Sequence, residues 1–97
     1  MDFQSFRDSL ANAEPPPGLT PALAALWWDA KGNWDRAHEH AQEREDAEGM
    51  RVHAYLHRKE GDEPNAHYWY RRAAATPSTL SLDAEWEELA RGFLGQG

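Results

Sequence analysis

The residues best suited to chemistry in this 97-residue chain are its five histidines, all of which lie between positions 38 and 67. His53 and His57 stand four residues apart in the stretch HAYLH. This spacing places two imidazoles on one face of a helix, which makes them a template for zinc or iron. A metal would need one or two further ligands. The candidates are His38, His67, Asp35, Glu39 and Glu60.

Two other interpretations of the histidines remain open. The imidazoles can be semi-buried polar spacers between packed helices, each hydrogen bonded to a carbonyl, a carboxylate or a tyrosine hydroxyl. Alternatively, they line a cleft that binds a ligand without a metal. The candidate binding residues for such a face are His38, His53, His57, His67, Trp69 and Tyr70.

Other catalytic chemistries find little support in the sequence. HAYLH lacks the glutamate that follows the first histidine of a metalloprotease helix. None of the four serines stands beside a histidine in a recognisable nucleophile motif. The chain has no cysteine, which excludes disulfides, zinc knuckles and thiol catalysis. We therefore expect a protein without enzymatic activity that requires no cofactor.

Charge and hydropathy limit the partners. The net charge of −7 argues against nucleic acid, because phosphate binding needs a basic stripe. No apolar run approaches the about 20 residues of a membrane span, and the N-terminal stretch MDFQSFRDSLANAEPPPG lacks the apolar segment of a signal peptide. These features predict a cytoplasmic protein with no membrane contact.

The composition indicates an all-α fold. Only four residues are β-branched, which is too few for a sheet, whereas Ala, Leu, Glu and Arg are abundant and favour helix. Phe3, Phe6, Leu10 and Ala13 follow a helical spacing that predicts a first helix over residues 2–13.

Two similar hinges divide the middle of the chain. Gly32-Asn33 and Gly61-Asp62 lie 29 residues apart. In each pair the glycine can end one helix and the polar residue can cap the next. They predict two helical hairpins, at 20–45 and 46–77, between an N-terminal helix with its proline-rich linker, 1–19, and a C-terminal capping helix, 78–97. We expect the two outer helices to cap opposite ends of the hairpin pair.

A resemblance to a known family lies within the second hairpin. The segment EGDEPNAHYWYRRAAATP resembles the second half of a tetratricopeptide repeat, and YWYRRAA resembles its Sel-like variant more closely. The matching positions are Gly61, Ala66, Tyr70, Ala73 and Pro77. Residues 26–77 are also similar to a group of small, uncharacterised bacterial and fungal proteins. The resemblance implies a right-handed, tetratricopeptide-like array of two antiparallel hairpins that serves protein interaction.

The functional expectation is a small module that binds an unidentified protein or small ligand through its histidine and aromatic face. One alternative is a metal-binding protein that uses His53 and His57 with His38 or His67. The other is a homo-oligomer whose aromatic side chains form the interface.

Positions of the remaining tryptophans and acids can also be predicted. The helical stripes place Trp27 and Trp86 in the core, whereas Trp28 and Trp34 flank the first hinge and could pack under the PPPG segment. Ser81 or Thr79 is expected to cap the last helix. The acidic runs EREDAEGMR and DAEWEE are expected on solvated helix surfaces.

Overall fold

The computed structural model describes residues 1–95, which form six α-helices and one 3-10 turn and contain no strand. The helices are α1 (Phe3–Asp8), α2 (Pro21–Ala30), α3 (Trp34–Ala41), α4 (Ala47–Lys59), α5 (Glu63–Arg72) and α6 (Leu82–Phe93). The predicted all-α fold is confirmed. Positions 96 and 97 of the predicted C-terminal segment lie outside the described residues. None of the described helices combines the length and apolar character that crossing a membrane requires.

The two hinges have the same geometry. Gly32 and Gly61 have φ angles of +84° and +85°, a left-handed conformation that glycine adopts without steric cost. After each glycine, the amide of Asn33 or Asp62 donates to the carbonyl five residues earlier, at 2.9 Å. This pattern is the Schellman motif. The side chains of Asn33 and Asp62 then cap α3 and α5, so each hinge ends one helix and starts the next.

Helix α4 is the central element of the fold. It packs against α5 within its own hairpin and against α2, α3 and α6 outside it. Six consecutive residues, 52–57, are buried as a result. Small side chains allow the close helix pairs: Ala37 and Ala41 are buried on α3, and Ala54 packs with Ala66 of α5. His53 and His57 therefore lie inside the packed helices.

The two outer helices meet each other, which differs from the expectation that they cap opposite ends. The rings of Phe3 and Phe6 in α1 lie 6.0 and 5.9 Å from that of Trp86 in α6. The Trp86 indole donates to the carbonyl of Leu26 at 2.9 Å, and α6 crosses both α2 and α4. Trp86 thus contacts α1 and α2 at once, and so links the two outer helices to the first hairpin.

Helix α1 is shorter than predicted. It ends at Asp8, a 3-10 turn covers Ser9–Ala11, and Ala13 is exposed. The Ser9 hydroxyl donates to the carbonyl of Phe6 and accepts the indole N–H of Trp27 at 3.0 Å. This side-chain bonding tightens the end of the helix and ties it to α2.

Glu85 corrects the prediction that the run DAEWEE is a solvated surface. Its carboxylate is completely buried. It accepts hydrogen bonds from Arg51 at 2.8 Å, from Arg58 at 2.8 Å and from the Tyr70 hydroxyl at 2.6 Å. A buried carboxylate needs such partners, because desolvating an unpaired charge is very unfavourable. The interaction ties α6 to the second hairpin.

A second buried carboxylate belongs to Asp29 of α2. It accepts the hydroxyl of Tyr55 and the ammonium of Lys59, both at 2.8 Å. Burial and the adjacent carboxylate raise the pKa of Tyr55 well above its ordinary value, which keeps the hydroxyl a donor. These bonds join the first helices of the two hairpins.

Candidate metal centre

Three histidines converge between α3 and α4. Helix α4 places His53 and His57 one turn apart, and α3 brings His38 against them. One ring nitrogen of each residue lies within 4.8 Å of those of the other two. His53 and His57 are 5% and 7% exposed, and His38 is partly buried. We call these three residues the histidine cluster.

A direct hydrogen bond joins two members of the histidine cluster. The Nε2 atoms of His38 and His53 lie 2.8 Å apart. A hydrogen bond requires one N–H and one lone pair, so one ring donates through Nε2 and the other accepts. The pair therefore carries a single proton between its two Nε2 atoms.

The surroundings favour the neutral form of His53. Burial lowers its pKa to about 4, and the adjacent rings of His38 and His57 and the Arg72 guanidinium act in the same direction. A neutral imidazole retains a lone pair, which is the form that binds a metal ion.

His38 occupies a more mixed environment. Burial and the neighbouring His57 lower its pKa, whereas the carboxylates of Glu60, Asp35 and Glu39 raise it. These three acids place negative charge near His38, although burial still holds its pKa below the ordinary value. They favour a positive charge at this position, whether a proton or a metal ion supplies it.

The third member, His57, contacts a carboxylate. Its Nδ1 lies 2.6 Å from Oε1 of Glu60. Since a carboxylate only accepts, Nδ1 carries a proton, and in the neutral ring the lone pair then lies on Nε2. His57, Glu60 and Asp62 also form a second group whose candidate ligand atoms lie within 4.8 Å of one another.

Two tryptophans cover the imidazoles. The ring of Trp69 is stacked on that of His53, with centroids 3.9 Å apart and planes inclined by 15°. The ring of Trp34 is stacked on that of His38 at 4.9 Å and 10°, and its indole N–H donates to the Leu56 carbonyl at 3.1 Å. This contact of Trp34 with His38 was not predicted from the sequence. Its position four residues before His38, on the same helix face, is the sequence signal that could have found it.

The other predicted site residues lie elsewhere. His67 is exposed and belongs to neither group of potential metal ligands among the described residues. Tyr70 is buried, but its hydroxyl donates to Glu85 and thus belongs to the buried ion network. Of the three aromatics in YWY, Tyr68 is the one that points outward, with 45% of its surface exposed.

A cleft of about 350 Å³ opens beside the histidine cluster. It is lined by His53 and Trp69 and by Gln42 and Arg44 from the connection between α3 and α4. The cleft brings solvent to the edge of His53 although that side chain is largely buried. It therefore offers a path for a small ion or ligand.

No family model matches this chain, and neither a curated protein nor a solved structure matches it. The tetratricopeptide-like resemblance thus stays a prediction, and the site rests on its geometry.

Proposed function

We propose that this protein is a small helical binding module, without a catalytic step of its own, that holds a divalent first-row transition metal ion such as zinc. The ligands are His38, His53 and His57. The observation that carries the proposal is the convergence of three imidazoles from two helices, with one nitrogen of each within 4.8 Å of the others. Three histidines are a recurrent zinc ligand set when a fourth position is left to water or another ligand.

The distance between His38 and His53 requires only a small adjustment. Two imidazole nitrogens on one tetrahedral zinc ion, at about 2.0–2.1 Å from the metal, lie about 3.3 Å apart. The Nε2 atoms of His38 and His53 are 2.8 Å apart, so they need to separate by about 0.5 Å. The bound ion would replace the hydrogen bond that now joins these rings.

The donor set favours zinc over iron. Imidazole ligands suit zinc, copper and nickel, whereas non-haem iron sites commonly combine two histidines with one carboxylate. The three nearest donors here are all nitrogens, and the carboxylate of Glu60 is hydrogen bonded to His57. Zinc is therefore the ion to test first.

The test is a zinc titration of the chelator-treated 97-residue chain by isothermal calorimetry. We expect one ion per chain. Loss of an outer-shell partner alone weakens metal binding by about 10–100-fold, so His38→Gln and His57→Gln should each cost at least that much. His67→Gln is the matched control, because His67 is exposed and lies outside the cluster. Equal zinc affinity in the wild type and both cluster variants, each folded by circular dichroism, contradicts the proposal.

We also propose that the two hairpins form a right-handed, tetratricopeptide-like pair. In a repeat array each unit packs only on its neighbours. The packing of α4 on both helices of the first hairpin, α2 and α3, supports such an arrangement. A crystal structure with a left-handed hairpin pair would contradict it.

A second candidate function is self-association through the exposed aromatic surface of α5. Tyr68 is 45% exposed, its ring meets that of Trp69 edge-on at 5.2 Å, and the Arg72 guanidinium lies over both rings. Aromatic residues and arginine are the usual anchors of protein interfaces. Sedimentation velocity tests this candidate. A dimer in the wild type that Tyr68→Ser converts to a monomer supports it, and a monomeric wild type at all concentrations contradicts it.

A further inference from the structure

We infer that Glu60 is a positioning residue for the proposed metal site. It accepts the Nδ1 proton of His57 and so presents the lone pair of Nε2 to the ion. This inference rests on the proposed function, because it describes how the same three imidazoles are prepared for a metal.

The hydrogen bond between the two side chains fixes the state of the ring. The Nδ1 atom of His57 lies 2.6 Å from Oε1 of Glu60, so the proton lies on Nδ1. Metal-binding histidines almost always donate their second ring N–H to such a partner. The partner fixes the tautomer, restrains the ring and raises the basicity of the nitrogen that binds the metal.

The end of α4 holds Glu60 in place. Glu60 is the C-cap residue, three positions after His57, and the left-handed Gly61 reverses the chain directly after it. Because the chain reverses only after Glu60, the Glu60 carboxylate stays beside the last turn of α4, where His57 lies. A local feature of the sequence, the glycine hinge, thus has a consequence for the candidate site.

The other carboxylate of the group has a separate structural role. Asp62 accepts the amide N–H of Asn65 at 3.3 Å and the side-chain amide of the same residue at 3.4 Å. It is the N-cap of α5. Glu60, in contrast, directs its carboxylate to His57, so it is the member of the group that controls the imidazole.

Removal of Glu60 should let the proton of His57 move. Without an acceptor at Nδ1, a neutral imidazole can place its proton on Nε2, where it would block the metal. Glu60→Ala should therefore lower zinc affinity by about 10–100-fold, the usual cost of losing an outer-shell partner. Glu63→Ala is the control, because it removes the same charge from an exposed position in the first turn of α5.

Two measurements separate positioning from a direct ligand role or a structural role. Nitrogen-15 NMR of the metal-free protein should place the His57 proton on Nδ1 in the wild type and in Glu63→Ala, and shift it toward Nε2 in Glu60→Ala. With saturating cobalt(II), Glu60→Ala should keep the wild-type visible spectrum, because the ligands are unchanged.

The outcomes are distinct. An unchanged tautomer, an unchanged zinc affinity or an altered cobalt spectrum in Glu60→Ala overturns the positioning role while the proposed function stands. If the wild type binds no zinc, the proposed function fails, but the tautomer of the metal-free protein still shows whether Glu60 controls His57.

Discussion

The Nε2 atoms of His38 and His53 lie 2.8 Å apart, so one proton is shared across the contact between α3 and α4. This bond joins the second helix of the first hairpin to the first helix of the second. It cannot persist when both rings are in the imidazolium form, because two N–H groups and two positive charges would then face each other. The contact is therefore sensitive to acid, and a metal ion can replace it.

The first prediction concerns the stability of the metal-free protein in acid. The pKa of His53 is about 4 in the folded protein and about 6.5 in an unfolded chain. Between these values only the unfolded chain takes up the proton, so the free energy of unfolding falls as pH drops from 6.5 toward 4. At about pH 5 the loss from His53 is about 2 kcal/mol. His38, whose pKa is also lowered, adds to it in the same direction.

Urea unfolding at about pH 7.5 and about pH 5 measures this loss. His53→Gln should remove a large part of the difference in unfolding free energy between the two pH values. The exposed-site control His67→Gln should retain that difference. An identical pH dependence in the wild type and His53→Gln would refute the prediction.

The second prediction concerns tryptophan fluorescence. Trp69 and Trp34 are stacked on His53 and His38 at 3.9 and 4.9 Å, so a paramagnetic ion on these imidazoles lies close to both indoles. Nickel(II) or copper(II) should quench a saturable part of the emission, and Trp69→Phe should lose part of that quenching. Zinc(II), with a filled d shell, is the control. It should displace the paramagnetic ion from the imidazoles and so restore the emission. Emission that falls equally in His57→Gln would point to binding elsewhere.

The third prediction concerns Glu85. Glu85→Gln leaves the guanidinium groups of Arg51 and Arg58 without their buried counter-charge. Removing one partner of a buried ion pair typically costs about 3–5 kcal/mol of unfolding free energy. Glu88→Gln is the control, because Glu88 is exposed and lies 3.7 Å from Arg51; it should change stability by less than about 0.5 kcal/mol. Denaturant midpoints measure both effects. Equal midpoints for the two variants would disprove the role of Glu85 as the buried counter-charge of the two arginines.

The fourth prediction concerns the helix ends. Helix α5 ends in the same hydrogen-bond pattern as the two glycine hinges, but with Ala74 at a φ of +55°. A left-handed non-glycine residue costs about 1–2 kcal/mol, so Ala74→Gly should raise the unfolding free energy by about 1 kcal/mol. Gly61→Ala, at +85°, should lower it by a similar amount.

A glycine with ordinary backbone geometry provides the comparison. Gly92 lies within α6, and an added Cβ would meet no atom within 4 Å. Gly92→Ala should therefore stabilise the protein by about 0.5–1 kcal/mol. Thermal unfolding of the three variants checks the signs, and destabilisation by Ala74→Gly would reject the strain argument.

Several features were predictable because their causes lie within a few residues of one another. Thr20 and Ser81 cap α2 and α6, and the two glycine hinges end helices where predicted. Caps, left-handed glycines and amphipathic stripes are local, since each depends on hydrogen bonds or side-chain spacing within about one or two helical turns. The same local logic correctly placed His53 and His57 on one face of their helix.

Only the tertiary structure decided which residues pack against that face of α4. The sequence left His38 and His67 as equal candidates, and helix packing brings His38 into the cluster while His67 remains exposed. Likewise, Glu85 fits the local pattern of a solvated first-turn acid, yet it is buried against Arg51 and Arg58 of a different helix. Contacts between helices depend on how whole faces pack together, and residue spacing along one helix does not specify its neighbour.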